Sequence, residues 1–233
     1  MALGQGSGTF ALYDDVTGDL TKTVIKEISG TDADNKVYVI NRKGGSATVL
    51  PVDQIYKVRV LRKGTGYTVQ YAKLNDTTFK TLDVTKDATY NFQFASLETG
   101  AAVSVEPVKA RWDIVWGYSM YYTGPIPYGF SDLVFLNQYA GVTAAEVLTT
   151  TTTYDAFAES NLATVTFSAD RDVIGSKWRV TSGGTVGVKT DRFYVIKDAA
   201  GNVYKLRFLS FHPSDGGERG KPKLEYKLVK KGA

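Results

Sequence analysis

The feature that most constrains this chain is a period of two. Tyr56, Val58 and Val60 alternate with Lys57 and Arg59; after the turn Arg62-Lys63-Gly64-Thr65-Gly66, Tyr67, Val69 and Tyr71 alternate with Thr68 and Gln70. One apolar face per short run is the pattern of a half-buried antiparallel strand, because successive side chains point to opposite sides of a sheet. The same pattern returns near the C-terminus. Arg192–Lys197 and Val203–Ser210 flank the turn Asp198-Ala199-Ala200-Gly201-Asn202. After the loop His212–Pro222, Leu224, Tyr226 and Leu228 alternate with Lys223, Glu225 and Lys227. Three consecutive strands predict a β-meander. Between these clear segments, Lys36–Asn41, Lys43-Gly44-Gly45-Ser46 and Ala47–Leu50 read as a hairpin. Thr78–Val84, Tyr90–Phe94 and Ala101–Glu106 read as further strands, and Trp112–Val115 and Leu133–Asn137 as two more. With 15 Tyr and 11 Phe, the composition favours the pleated surface. The predicted class is all-β, mainly antiparallel.

Two stretches break the pattern. From Trp116 to Phe130 the chain carries Tyr118, Met120, Tyr121, Tyr122, Tyr128 and two prolines, Pro125 and Pro127, with glycines among them. Proline disfavours a central strand, so this is predicted to be an aromatic loop. Thr143–Leu148 and the Ala-rich Tyr154–Leu162 are predicted as short helices, with Asp155 placed where a carboxylate suits unpaired N–H groups. No linker or repeat divides the chain. Residues 1–9 read as a Gly-rich tail without the basic start and apolar stretch of a signal peptide, and residues 10–233 as one β domain.

Several kinds of chemistry find little support. The chain has 233 residues and no cysteine, which removes disulfides, thiolate metal sites and Cys nucleophiles. Its net charge of +4 is spread along the sequence, whereas nucleic-acid binders concentrate Lys and Arg on one face. No apolar run approaches the ~20 residues of a membrane-spanning helix. The single histidine, His212, lies between Phe211 and Pro213 at the start of a loop, which reads as a turn position rather than a catalytic base or a zinc ligand. Asp32-Ala33-Asp34-Asn35 and Asp170-Arg171-Asp172 lack the Gly and closing Glu of a calcium loop and read as turns. Gly64-Thr65-Gly66 carries no phosphate-loop signature. No enzyme site is expected. What remains is Met120 among aromatic residues. Haem needs apolar walls and one or two axial atoms, and Met sulfur, His nitrogen and Tyr oxygen are the protein's usual choices; a Met among rings also serves simply as a packing residue.

Three stretches in order resemble the HmuY family of haem-binding lipoproteins from Bacteroidota. They are Arg111-Trp112-Asp113-Ile114-Val115-Trp116; Phe167–Arg179 with its Ser176-Lys177-Trp178; and Asp191–Ile196 followed by Tyr204–Phe208 and Lys223–Tyr226. The likeness runs from about Phe10 to Lys230 and is strongest after Arg111. It implies an all-β fold with few short helices. It also implies an exported protein, anchored in the outer membrane as a lipoprotein or released, that captures haem for iron acquisition and passes it to an outer-membrane haem receptor. In the family the first axial ligand follows the Trp-Asp motif, and Met120 falls there. The second comes some tens of residues later, where this chain has neither His nor Met; Tyr139 or Tyr154 is the substitute considered, with Tyr121 and Tyr122 beside the first. The alternative is a surface module of the same fold that binds a glycan or a protein through Tyr118, Tyr121, Tyr122 and Tyr128.

Overall fold

The structure, a computed structural model, describes residues 10–40 and 51–232. The N-terminal tail and the hairpin read over residues 36–50, from residue 41 on, lie outside the described residues. Strands dominate, and the helices are short 3-10 turns. The chain forms two compact units. One comprises Met1–Val108 with Ser119–Phe130, the other Lys109–Tyr118 with Ser131–Ala233.

The first unit is built on an antiparallel sheet in the order β1 (Tyr38–Ile40), β2 (Tyr56–Lys63), β3 (Gly66–Lys73) and β4 (Lys80–Val84). Lys63 pairs with Gly66 across a two-residue turn. Gly64, first in that turn, takes φ +53°, as a tight hairpin with glycine in the leading position requires. The alternation seen in the sequence sets the faces. Tyr56, Val58 and Tyr71 form a buried cluster supported by Val60, Val69 and Leu82. Two arginines of β2, Arg59 on the opposite face and Arg62 at the end of the apolar face, tie down the preceding chain. Arg59 donates to the carbonyl of Asn35 (3.0 Å) and to that of Asp32, and Arg62 donates to the Ile28 carbonyl (2.5 Å). The Asp32–Asp34 stretch is therefore a 3-10 turn held by an arginine. A small hairpin, β5 (Phe94–Ser96) and β6 (Ala101–Val103), belongs to the same unit.

The aromatic stretch expected as a loop is a hairpin. β7 (Ile114–Thr123) and β8 (Ile126–Leu136) pair with each other and turn through Gly124-Pro125. The proline argument fails here for a physical reason. A two-stranded ribbon is all edge, so Pro127 can lack an N–H without breaking a ladder on both sides. The division between the units crosses this ribbon. Its tip, Ser119–Phe130, belongs to the first unit and its base to the second.

The second unit holds a sheet in the order β14-β13-β12-β9, made of β9 (Thr143–Leu148), β12 (Arg192–Lys197), β13 (Val203–Ser210) and β14 (Lys223–Lys230). A short pair, β10 (Arg179–Val180) and β11 (Gly187–Val188), accompanies it. The meander expected from the sequence is present in full. Thr143–Leu148, expected as a helix, is instead β9. Six residues cannot hold a helix alone, and here all six pair with β12. Ala144 and Ala145 are small because the sheet is covered at that point. The stretch from Tyr154 is likewise not a regular helix; only Glu159–Thr164 forms a 3-10 segment. Buried Lys205 donates to the carbonyls of Tyr154 (2.6 Å) and Phe157 (2.8 Å), so these groups cap a lysine instead of extending a helix.

β12 explains why Phe193-Tyr194-Val195-Ile196 lacks alternation. Tyr194 and Ile196 enter one core with Trp178, Leu206, Phe208 and Phe211. Phe193 and Val195 enter a second with Tyr154, Phe157 and Val203. A strand buried on both faces reads as a continuous apolar run. Trp178 is central to the larger cluster. It stacks on Phe208 (centroids 4.2 Å apart) and donates from Nε1 to the Asp132 carbonyl at 3.0 Å. Asp132 takes φ +59°, rare for a residue with a side chain. Its buried carboxylate is held by Arg219 at 2.9 Å.

Candidate functional site

Met120 lies in the tip of the hairpin. Alternation along β7 places Met120 and Tyr122 on one face of the strand and Tyr121 on the other. Met120 is half-buried, and Tyr122 is 43% exposed. The rings form a connected set. Tyr121 meets Tyr122 at 5.3 Å and Phe130 at 6.1 Å, and Phe130 meets Tyr128 at 5.1 Å, all edge to face. This geometry suits aromatic quadrupoles and stiffens the ribbon. Tyr122 also borders a cavity of about 330 Å³ whose other walls come from residues 11–26, Tyr13, Val16 and Val24 among them. Nothing in the sequence points to that wall, which is about a hundred residues from Tyr122.

The remaining expected ligands belong to the second unit. Tyr139 lies in the 3-10 turn Gln138–Ala140 and is 37% exposed. Tyr154 is a core residue, 3% exposed, with its ring edge-on to Phe193 at 5.7 Å and Arg207 over its face at 4.3 Å. Burial, followed by the Glu225 charge, pushes its phenol above the ordinary value, which opposes the phenolate form that binds iron. Tyr154 is thus placed to hold the second core together.

His212 is engaged in a turn. Its Nδ1 lies 2.6 Å from Ser214 Oγ, and that hydroxyl donates to the Val186 carbonyl at 2.8 Å. Nδ1 also accepts the Ser214 backbone N–H at 3.3 Å, so the imidazole serves as the cap of the 3-10 turn Pro213–Asp215. Asp215 nearby gathers backbone N–H groups from four residues. Among the described residues no group of three or more His, Cys, Asp or Glu is arranged to hold a metal ion.

The hairpin tip meets the requirements of haem in part. It offers one soft axial atom, the Met120 sulfur, with the Tyr122 ring on the same face of β7, while Tyr121, Tyr128 and Phe130 pack together through Tyr121 on the other face. Within the first unit the sequence contains no histidine, and Met120 is the sole methionine among the described residues. The donors on the tip are thus one thioether and tyrosine phenols, with Met120 and Tyr122 sharing a face, so the residues fit a haem held from the protein side by the Met120 sulfur.

A family model described as HmuY protein matches residues 56–226, from the first residue of β2 into β14. Comparison with curated proteins and with solved structures gives no match.

Proposed function

The chain belongs to the HmuY family, and from that premise we propose that it is a haem-binding protein whose site is the β7–β8 hairpin tip. The family is a binding family and not a catalytic one. In this reading the protein is exported, as an outer-membrane lipoprotein or in released form. It captures haem for uptake and passes it to an outer-membrane receptor. The observation that carries the proposal is Met120: a half-buried thioether on a ring-stiffened ribbon, within the matched region.

The chain's own part in binding is simple. Met120 offers its sulfur to the iron, which as a soft donor favours the reduced metal. Tyr122 bounds the site on the face of Met120, and Tyr121, on the other face, is buttressed from β8 by Phe130, which Tyr128 supports in turn. Each apolar Å² removed from water contributes about 25 cal/mol.

The test is a haemin titration of the wild-type chain and Met120→Ala, followed by the Soret band in oxidised and reduced states. A saturable shift in the wild type, weakened and moved in wavelength by Met120→Ala, is the expected result. Identical spectra and affinities in both would remove Met120 from the site. The absence of a saturable shift in either would leave the second reading, a surface module for a glycan or protein. That reading is favoured by the exposure of Tyr122 and by the lack of a second soft ligand on the tip.

A further inference from the structure

β14 is an outer strand of the second unit's sheet, and among the described residues it pairs with β13 alone. Its other side presents a row of backbone N–H and C=O groups, the template on which a further strand can add. We propose that a second copy of the chain docks on this edge, β14 against β14, antiparallel about Tyr226. The proposal is independent of the haem reading.

The charges of the strand select the register. The bulges in the β13 pairing lie at its two ends, between Val203 and Tyr204 and between Phe208 and Ser210, so Leu224–Leu228 is the regular part and Tyr226 its middle. A two-fold axis through the edge places residues opposite one another symmetrically about one position. Centred on Tyr226, Glu225 stands opposite the partner's Lys227, Lys227 opposite the partner's Glu225, and Leu224 opposite the partner's Leu228. Centred on Glu225, the two glutamates meet and Lys223 faces the partner's Lys227. Centred on Lys227, the two lysines meet. Unlike charges directly opposite stabilise a strand pair and like charges destabilise it, so the Tyr226 centre is favoured over both neighbours.

The two faces agree with this register. Tyr226 is 65% exposed and Leu228 54%, on the side of the sheet where Leu206 and Phe208 enter the larger core. Tyr226 meets Tyr204 edge to face at 6.2 Å. This apolar row runs out at the edge of the sheet, and the same row of a second copy continues it. On the other face Glu225 already accepts from Arg207 of β13 at 2.7 Å, so its carboxylate would stand between Arg207 and the partner's Lys227. Lysines on an edge strand commonly keep other strands away. In this register no lysine of β14 stands opposite another: Lys223 falls opposite the partner's Val229, and Lys230, paired with Glu159 at 3.0 Å, opposite the partner's Pro222.

The experiment follows the whole chain by sedimentation velocity over a wide concentration series. Wild type, Glu225→Lys, Lys227→Glu and an equimolar mixture of the two variants are compared. The wild type is expected to show a monomer–dimer equilibrium. Either single change sets like charges opposite one another twice and should raise the dimer dissociation constant roughly tenfold. In the mixture the unlike chains attract at both positions, so the dimer should return as a mixed species. Glu225→Lys also breaks the Arg207 pair, so amide exchange of the wild type reads the edge without a substitution. Amides of β14 should gain protection as concentration rises, and those of β9, at the far edge of the sheet, should not. A wild type that stays monomeric throughout would overturn the proposal. So would variants that dimerise as the wild type does, a mixture that recovers no dimer, or exchange in β14 that ignores concentration.

Discussion

Asp215 shows how a loop with no regular structure is fixed in this fold. Its carboxylate accepts from the backbone N–H groups of Val188 (2.9 Å), Phe211 (3.1 Å), His212 (2.9 Å) and Gly217 (3.2 Å). It thus ties the end of β13 to β11. Replacing it with Ala strips four donors of their partner. A bond to a charged acceptor contributes about 1.5–3 kcal/mol when buried. Asp215 is half-exposed and water can reach the freed groups, so about 0.5–1 kcal/mol each is the appropriate scale. The expected loss is about 2–4 kcal/mol. Asp215→Asn keeps one oxygen for three of the donors and should lose about half as much. The assay is urea unfolding followed by tryptophan fluorescence. Trp112, Trp116 and Trp178 all belong to the second unit, so the signal reports on that unit. Acidification supplies a second check. Burial raises the Asp215 carboxyl, but the four N–H groups outweigh it and hold the group below its ordinary value of 3.8. A carboxyl with a depressed folded value stabilises the fold above its unfolded pKa and loses that contribution as pH falls through the folded one. The gap between wild type and Asp215→Asn should therefore be constant from pH 7 to about 5 and close below about 4. A loss under about 1 kcal/mol for Asp215→Ala, or a gap that ignores pH, would refute the reasoning.

Three further outcomes are expected. Trp178→Ala should cost about 3–5 kcal/mol by far-UV CD in urea, because it opens the larger core and leaves the Asp132 carbonyl without its donor. Gly66→Ala should destabilise the first unit by about 1–3 kcal/mol, read from tyrosine near-UV CD, since a Cβ there would stand 2.2 Å from the Val84 carbonyl oxygen; an unchanged midpoint would contradict the close approach. Lys205→Met keeps the aliphatic stem but removes the donors to Tyr154 and Phe157, so amide exchange across residues 153–158 should quicken while exchange in β12 holds.

Much of the fold is legible in the sequence wherever one face of a strand is buried and the other is wet. Tyr56–Val60, Tyr67–Tyr71 and Val203–Ser210 show this clearly, and their pairing follows. Legibility fails where tertiary contacts override local preference. Thr143–Leu148 looks helical because alanine favours helices, yet the alanines are there to fit beneath a covered sheet. The prolines near Met120 suggest a loop, and only the two-stranded nature of the ribbon makes them harmless. The site divides in the same way. Met120, Tyr121 and Tyr122 are visible as an aromatic cluster after a Trp-Asp motif. Tyr13 and Val16 are invisible as neighbours of Tyr122, because the cavity that joins them to it is made by chain segments far apart in sequence.

The central claim is that the hairpin tip binds haem through the Met120 sulfur. The most direct measurement is near-infrared magnetic circular dichroism of the haemin-loaded chain, wild type against Met120→Ala, because the charge-transfer band there reports the axial ligand itself. The account predicts a thioether-type band in the wild type that disappears in Met120→Ala. The same ligand signature in both proteins, or a wild-type chain that retains no haem through gel filtration, would contradict it.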